Sequence, residues 1–125
     1  MTLPLVDRDQ KSLEQVELIP FAKAFKEGLE IIMTAHVVYP TWDASSAATF
    51  SNIILKNLLR NKMGFKGLVM SDDLEMQAVT QTAEEIPALA VNAGVDLFLM
   101  CHDISKVTKL QESLIEGIEK GGNFP

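Results

Sequence analysis

The sequence contains one cysteine, few basic residues and no long hydrophobic run, and each of these scarcities excludes a class of protein. The single cysteine, Cys101, excludes an internal disulfide, and its place in an apolar run predicts an inert buried thiol. No apolar run approaches the roughly 18 residues of a membrane-spanning helix, so no membrane contact is expected. With 11 basic against 17 acidic residues the net charge is −6, which argues against a nucleic-acid partner. Met1 to Arg8 also lacks the basic-then-apolar pattern of a signal peptide.

The most informative segment that is present is an apolar run that ends in two adjacent carboxylates. Gly67–Met70 is followed directly by Ser71, Asp72 and Asp73. A short apolar run of this kind, bounded by turn residues, predicts a buried β-strand. In parallel α/β folds, ligands bind and chemistry occurs at the carboxyl ends of the strands. The segment therefore predicts a strand that delivers acidic side chains to a functional edge.

The same alternation of amphipathic helices and apolar strands recurs along the chain. Apolar residues spaced three and four apart predict helices, and short uninterrupted apolar runs predict strands. The predicted elements are a helix opened by a capping box at Ser12–Gln15 and stopped by Gly28, a strand over Ile31–Val38, a helix from about Ala47 to Lys62, a strand ending at Asp72, a helix from about Glu84 to Asn92, a strand over Val95–Cys101 and a helix from about Lys106 to Lys120.

This order, one helix followed by three rounds of strand and helix, predicts parallel strands joined by right-handed crossovers. Such crossovers place the helices on one side of the sheet and leave the other face, with residues such as Met33, Met70 and Phe98, without a cover. A (β/α)8 barrel needs about 250 residues, so the 125 residues of this chain correspond to half of one. The prediction is an α/β fold of three parallel strands and about four helices, resembling the C-terminal half of a (β/α)8 TIM barrel. Its uncovered face and strand edges predict self-association.

Polar residues follow each predicted strand, namely His36, Asp72 with Asp73, and the segment Cys101–Asp103. Ser and Asp are also the residues that most often cap helices, so on composition alone Ser71–Asp73 is either a cap or a catalytic segment. Side chains alternate along a strand, which points Asp72 and Asp73 in different directions. The two carboxylates are therefore not a pair sharing one proton, and one of them could face a site while the other braces it.

Three further alternatives stay open from the residues alone. His36 is either a hydrogen-bonded structural residue or a catalyst. A metal site formed by His36, Asp72 and His102 is conceivable because all three follow strands, but no spacing in the sequence is specific for one. Tyr39 and Trp42 either stack on a sugar ring or anchor their loop against the protein.

Several segments together resemble glycoside hydrolase family 3, and most closely its β-N-acetylhexosaminidase branch. The matching segments, which cover nearly the whole chain, are Ile32–Pro40 with Asp43, Leu58–Arg60, Gly64–Phe65, Gly67–Leu74 with Met76, Ala93–Asp96 and Cys101–Asp103. The Ser-Asp-Asp-Leu segment after Gly-Phe-x-Gly is the most specific of them. β-Glucosidases of the family usually have an aromatic residue after the first Asp, so Asp73 favours the hexosaminidase branch.

The resemblance implies a retaining glycosidase in which Asp72 is the catalytic nucleophile. Its carboxylate attacks the anomeric carbon and forms a glycosyl-enzyme, which water then hydrolyses with net retention. The resemblance also implies that Asp73 caps or braces the loop, and that Met33, His36 and Met76 lie near the pocket and bind substrate. The implied partner is a carbohydrate that contains N-acetylglucosamine, from cell-wall or chitin-derived sugars. Neither a cofactor nor a metal is expected.

The general acid of these hexosaminidases is a His, oriented by an Asp, on a loop that ends in Leu-Pro. Leu3–Pro4 resembles the end of that loop. The sequence therefore predicts that residues 1–125 are part of a (β/α)8 catalytic domain, a fragment that is inactive in isolation. The alternatives are a non-catalytic truncated α/β fragment, a β-glucosidase-type member of the same family, or an unrelated α/β binding module or metal hydrolase. The compartment stays open between the cytoplasm and secretion from a bacterium.

Overall fold

The computed structural model describes residues 3–121, and its helices and its first two strands follow one another in the predicted order. The helical segments are α1 (Gln10–Ser12), a π-helix (Leu13–Glu17), α2 (Ile19–Lys26), a 3-10 helix (Ala48–Phe50), a second π-helix (Ile53–Lys62), α3 (Ile86–Ala93) and α4 (Ile104–Glu119). The strands are β1 (Ile31–Met33) and β2 (Leu68–Met70). None of the described helices is long and apolar enough to span a bilayer.

Within residues 3–121 the sheet has two strands rather than the predicted three. β1 and β2 pair in parallel, with Ile32 opposite Val69, which confirms the predicted strand direction. The third segment, Val95–Cys101, joins β2 through a single parallel bridge between Met70 and Leu97. The third segment therefore follows the predicted path beside β2 without becoming a strand.

Side-chain groups explain why the third segment does not extend into a strand. The Asp96 carboxylate accepts the N–H of Val69 at 2.8 Å. The Ser71 hydroxyl accepts the N–H of Leu99 at 2.9 Å. Between these two points, the Val69 carbonyl accepts the N–H groups of Asp96 and Leu97 at 2.8 and 3.1 Å. Side-chain hydrogen bonds of this kind compete with backbone pairing, so the regular ladder ends after one bridge.

The helices pack against one face of the sheet, around the fully buried side chain of Val69. The core around it includes Ile54, Leu55, Leu59, Phe65, Ile86, Ala90, Ala93 and Leu110. The residues of the opposite face that are between 40% and 49% exposed are Ile31, Met33, Leu68 and Leu97. Phe98, predicted for this open face, packs against the core instead, and Leu97 takes its place. An apolar sheet face without a cover is therefore present in the described structure.

The first helix begins after Asp9 rather than at the predicted capping box of Ser12–Gln15. Asp9 Oδ1 accepts the N–H of Ser12 at 3.0 Å, and Asp9 Oδ2 accepts the Ser12 hydroxyl at 2.7 Å. The Ser12 hydroxyl is therefore a donor to Asp9 and does not cap the following turn. The end of α2 agrees with the prediction, because Gly28 follows it with a φ of 86°, a conformation that favours glycine.

The predicted helix over residues 47–62 is interrupted at Ser51. This residue has extended backbone angles, φ −97° and ψ 110°, between the 3-10 helix and the second π-helix. Its hydroxyl donates to Asp43 Oδ2 at 2.7 Å and accepts the N–H of Ile54 at 3.2 Å. Hydrogen bonds from Ser45 and then from Ser51 lower the pKa of Asp43. The buried hydrogen bonds of Ser51 thus fix the start of the second π-helix. The spacing of hydrophobic residues does not predict this break.

Arg60 joins the second π-helix to the start of β2. Its Nη1 donates to the carbonyl of Phe65 at 3.2 Å and to the carbonyl of Gly67. Its Nη2 donates to Asp96 Oδ2 at 2.7 Å. A Cβ atom at Gly67 would collide with the carbonyl oxygen of Glu30, so glycine is required for β1 and β2 to approach here. These contacts set where β2 begins and therefore where its carboxyl end lies.

Candidate active site at the carboxyl ends of the strands

Asp72 follows β2 directly after Ser71 and is partly buried at the carboxyl end of the sheet. Its N–H donates to Thr34 Oγ1 at 3.3 Å, which ties it to the segment after β1. Its Oδ1 accepts the N–H of Asp73 at 2.8 Å. Among residues 3–121 its Oδ2 has no hydrogen-bond partner. Alternation from Met70 places the Asp72 side chain on the open side of the sheet, where an attacking carboxylate would have access to a ligand.

Ser71 has a structural role that the sequence did not predict. The residue is fully buried, and its N–H donates to the carbonyl of Leu97 at 2.9 Å. Its hydroxyl accepts the N–H of Leu99, and the N–H of Leu74 in turn donates to the carbonyl of Leu99 at 2.9 Å. These bonds hold the third segment beside the loop that carries Asp72.

Asp73 braces the loop and has different partners from Asp72. Its Oδ1 accepts the N–H of Glu75 at 3.1 Å. Its Oδ2 lies 3.2 Å from Nδ1 of His102, an exposed histidine after the third segment. The adjacent carboxylates of Asp72 and Asp73 therefore diverge, as strand alternation predicts.

Glu75 is a buried acid that sequence reasoning missed. Its side chain is 3% exposed, and its carboxylate accepts the N–H groups of His102 and Asp103 at 2.5 and 3.1 Å. Lys106 Nζ lies 3.6 Å from its Oε1. Burial raises the pKa of Glu75, but the two backbone N–H groups and the Lys106 ammonium outweigh burial and hold that pKa below its ordinary value. The only sign of this role in the sequence is that Glu75 is an acidic residue between two apolar ones, Leu74 and Met76.

Asp73, Glu75 and His102 bring carboxylate and imidazole atoms within 4.8 Å of one another. This set differs from His36, Asp72 and His102, the combination that the sequence left conceivable, and both nitrogens of His36 are engaged elsewhere. Asp73 and Glu75 both accept backbone N–H groups, so hydrogen bonds and ion pairs account for the cluster. Its effect is to tie the loop after β2 to the start of α4.

His36 lies behind the loop that carries Asp72 and is only 3% exposed. Its Nε2 is 3.0 Å from the carbonyl oxygen of Asp73, and its Nδ1 is 2.9 Å from Oγ1 of Thr49. The ring of Phe50 lies nearly parallel to it, with 6.2 Å between centroids. Because both ring nitrogens are engaged inside the protein, His36 has no free nitrogen for a sugar. Of the two alternatives from the sequence, the geometry favours the hydrogen-bonded structural residue over direct contact with substrate.

Met33 and Met76 are both exposed, so their side chains are accessible for the predicted contact with a sugar. Tyr39 and Trp42 are placed differently. Their ring centroids are 5.5 Å apart, and both residues line an apolar cavity of about 180 Å³ between α2 and the second π-helix. Both also pack against the core, so they anchor their loop on the helical side of the sheet.

Cys101 is exposed, and the prediction that it is buried is wrong. Its thiol pKa is raised, first by desolvation and then by the carboxylates of Asp73, Glu75 and Asp72. A thiol that stays protonated is a poor nucleophile, so partial desolvation and the neighbouring carboxylates, rather than complete burial, account for its expected inertness. The N–H of Ser71 and the N–H of Leu74 donate to the carbonyls of Leu97 and Leu99, so the ends of β2 and the third segment converge.

Comparison with known proteins gives a family match over nearly the whole chain. A family model described as the glycosyl hydrolase family 3 N terminal domain matches residues 1–123. The chain is similar to the beta-hexosaminidase of Neisseria meningitidis serogroup C (strain 053442), with 39% identity over 114 residues. This alignment covers 90% of the chain and 31% of that relative. The chain thus spans about a third of the length of the curated relatives it matches.

Two solved structures show the same similarity in three dimensions. A glycoside hydrolase family 3 beta-N-acetylglucosaminidase from Paenibacillus sp. str. FPU-7 superposes with a TM-score of 0.91 at 34% identity. The aligned region covers 96% of this chain and 23% of the Paenibacillus chain. NagZ from Neisseria gonorrhoeae, in complex with N-trifluoroacetyl-D-glucosamine, superposes with a TM-score of 0.80 at 38% identity. The aligned region covers 90% of this chain and 32% of the NagZ chain.

Proposed function

The chain belongs to glycosyl hydrolase family 3, and from that premise we propose that it forms the nucleophile-bearing part of a retaining β-N-acetylhexosaminidase. The observation that supports this most directly is the placement of Asp72. Its carboxylate follows β2 on the open side of the sheet and has one oxygen without a partner among residues 3–121. The names of the similar proteins, beta-hexosaminidase and beta-N-acetylglucosaminidase, support the same reaction class.

In the proposed reaction, Asp72 attacks the anomeric carbon while the glycosidic oxygen leaves and takes a proton from a general acid. This step forms a covalent ester between the sugar and Asp72. Water, losing a proton to the same group, then attacks the anomeric carbon, releases the Asp72 carboxylate and restores the original configuration. The hydrogen bond from the Asp73 N–H holds Asp72 Oδ1, so that Oδ2 is the oxygen placed for attack.

The proposed substrate is a terminal N-acetylglucosaminide, from cell-wall or chitin-derived material. Two features support this class over a β-glucoside. NagZ from Neisseria gonorrhoeae, to which the chain is similar, is described with N-trifluoroacetyl-D-glucosamine bound. Asp73 accepts the N–H of Glu75 and contacts His102 through its carboxylate oxygens, which an aromatic residue at this position would lack. Met33 and Met76 are the proposed side chains that contact the sugar.

We further propose that β1, β2 and the third segment are three consecutive strand positions of a (β/α)8 barrel. The parallel bridge between Met70 and Leu97 supports this arrangement, because it sets the third segment beside β2 in the same direction as β1. In such a barrel the open apolar face would line the interior, with Asp72 at its upper rim.

A chimera tests the proposed function directly. Residues 3–121 replace the aligned segment of the Neisseria meningitidis beta-hexosaminidase, which supplies the rest of that protein. We expect the chimera to hydrolyse an aryl N-acetylglucosaminide and to release the β-anomer first, because two displacements at the anomeric carbon retain its configuration. Proton NMR of the first-formed sugar measures this outcome. Release of the α-anomer, or a folded chimera without hydrolysis, would contradict the proposal.

The open sheet face leads to a second prediction, that the isolated chain self-associates. Apolar side chains that include Leu68 are nearly half exposed there, and two copies could cover each other's faces. We expect light scattering at micromolar concentration to give a mass above the 13.8 kDa of one chain. Leu68→Lys should lower that mass, because it places a charge on the open face.

The matched control for self-association is Ile118→Lys. Ile118 is an exposed apolar residue of α4 and lies away from the open face. We expect this substitution to leave the mass unchanged. A wild-type chain that is monomeric with a cooperative melt would show that the open face needs no second copy.

A further inference from the structure

Five residues form a continuous series of hydrogen bonds that starts and ends on the nucleophile loop. The Asp72 N–H contacts Thr34 Oγ1 at 3.3 Å, and Thr34 Oγ1 lies 2.8 Å from Thr49 Oγ1. Thr49 Oγ1 lies 2.9 Å from His36 Nδ1, and His36 Nε2 lies 3.0 Å from the Asp73 carbonyl oxygen. Thr49 and His36 are buried, so the middle of this series lies away from solvent, whereas Thr34, Asp72 and Asp73 are partly buried.

The direction of the last bond in the series follows from chemistry alone. A carbonyl oxygen only accepts, so His36 Nε2 carries a proton and donates it to Asp73. The other partner of the ring, the Thr49 hydroxyl, is uncharged. Neither partner carries a charge that would stabilise a buried imidazolium, which favours the neutral ring. His36 Nδ1 is therefore unprotonated and accepts the hydroxyl proton of Thr49.

The remaining proton positions are then determined one after another. Since Thr49 donates its proton to His36, its oxygen accepts the hydroxyl proton of Thr34. The oxygen of Thr34 accepts the N–H of Asp72. Every donor in the series points the same way, from Asp72 through the three side chains to Asp73. Hydrogen bonds aligned in this manner polarise and strengthen one another.

We propose that His36 is a positioning residue for the nucleophile, held as the neutral Nε2–H tautomer by this one-way series. It touches no reacting atom. Through Thr49 and Thr34 it fixes the N–H of Asp72, and directly it fixes the carbonyl of Asp73. The peptide unit before Asp72 and the peptide unit after Asp73 are thereby held, while Oδ2 stays free. The nucleophilic role of Asp72 rests on the proposed function, whereas the tautomer of His36 and the fixed position of the loop do not.

The tautomer is measured on the full 125-residue chain by long-range proton–nitrogen NMR of the imidazole rings. The sequence has two histidines, and the exposed His102 serves as the internal reference, with His102→Gln assigning the signals. We expect His36 to show a protonated Nε2, an unprotonated Nδ1 and a slowly exchanging Nε2 proton. A protonated Nδ1, or a ring averaged between tautomers as expected of an exposed histidine, would overturn the proposal.

The positioning role is measured by amide exchange in two matched variants of Thr49. Thr49→Val keeps the shape but removes the hydroxyl, and Thr49→Ser keeps the hydroxyl. We expect exchange of the Asp72 amide to become roughly fivefold faster in Thr49→Val, as for the loss of one hydrogen bond, and to return to the wild-type rate in Thr49→Ser. The Leu74 amide, which donates to the third segment, is the control and should not change.

Other results would overturn the positioning role. Equal acceleration at Asp72 and Leu74 would mean that Thr49→Val only loosens the whole loop. No acceleration at Asp72 would mean that the pairing of Ser71 with the third segment holds the loop by itself. Because neither measurement uses substrate, their failure is distinct from failure of the proposed function, which the chimera reports separately.

Discussion

Asp72→Asn should lower the turnover number of the chimera by on the order of 10³–10⁶-fold, the range seen when a member of a catalytic unit is removed. The amide oxygen of Asn is neutral and a poor nucleophile, so the covalent glycosyl-enzyme no longer forms. The fold should be kept, because the amide oxygen can still accept the N–H of Asp73. The measurement is kcat on an aryl N-acetylglucosaminide, together with the thermal melt of the variant. Near-normal turnover would refute the assignment of Asp72.

Asp73→Asn is the matched control for this substitution, since it makes the same chemical change one residue away. Its amide oxygen can still accept the N–H of Glu75, and the loss is confined to the contact between the carboxylate and the exposed His102. Such a contact is worth little, so we expect kcat to fall by about fivefold at most. Equal losses in the two variants would mean that the loop as a whole, rather than Asp72, has been disturbed.

A rescue experiment separates a nucleophile from a residue that merely supports the site. In Asp72→Gly the carboxylate is absent and its space is open to a small anion. Azide should then attack the anomeric carbon from the same side as Asp72, expel the aryl oxygen and form a glycosyl azide of inverted configuration. We expect azide to restore turnover in this variant and to leave wild-type turnover unchanged. Absence of the azide product would argue against a covalent role for Asp72.

The second large effect is the expected absence of useful glycosidase activity in the isolated 125-residue chain. Its two histidines are His36, which is buried with both nitrogens engaged, and His102, which pairs with Asp73. Neither matches the His on a Leu-Pro loop that the family uses as general acid. Acid–base help of that kind is worth roughly 10²–10⁴-fold, and contacts that orient the sugar add further acceleration. The measurement compares the purified chain with the chimera on the same aryl N-acetylglucosaminide.

Two substrates distinguish the causes of this inactivity. The first is a 4-methoxyphenyl N-acetylglucosaminide, the ordinary substrate, whose leaving group needs protonation. The second is a 2,4-dinitrophenyl N-acetylglucosaminide, whose leaving group needs none. Hydrolysis of the second substrate alone would show that the absence of a general acid limits the rate. No hydrolysis of either substrate would identify the missing sugar contacts. Clear hydrolysis of the ordinary substrate by the chain, abolished by Asp72→Asn, would contradict the prediction, and His102→Gln would then test whether His102 serves as the acid.

The pattern of helices and strands was predictable because its signals are local. Hydrophobic spacing marked β1, β2 and α4, and Gly28 marked the end of α2. The order of these elements implied parallel strands, and the pairing of β1 with β2 confirms this. The position of Asp72 at a strand end follows from the same local pattern, since the apolar run ends at Met70, two residues before it.

The extent of the strands and the breaks in the helices were not predictable from spacing. Backbone pairing between β2 and the third segment stops where the side chains of Asp96 and Ser71 take the place of backbone hydrogen-bond partners. The helix over 47–62 divides at Ser51, where a hydroxyl bonds to Asp43. In each case a polar side chain competes with the backbone, and apolar periodicity is insensitive to such competition.

By itself, the sequence determined the order of the elements, the strand direction and the position of Asp72 within a specific motif. Only the tertiary structure decided which groups surround Asp72. His36 reaches the carbonyl of Asp73 across 37 residues of sequence, and Glu75 reaches the N–H of His102 across 27. Such partners meet because helix packing and strand pairing bring distant loops to one edge of the sheet. Hydrogen bonds act only over about 3 Å, so they depend on that final packing and leave no periodic trace in the sequence.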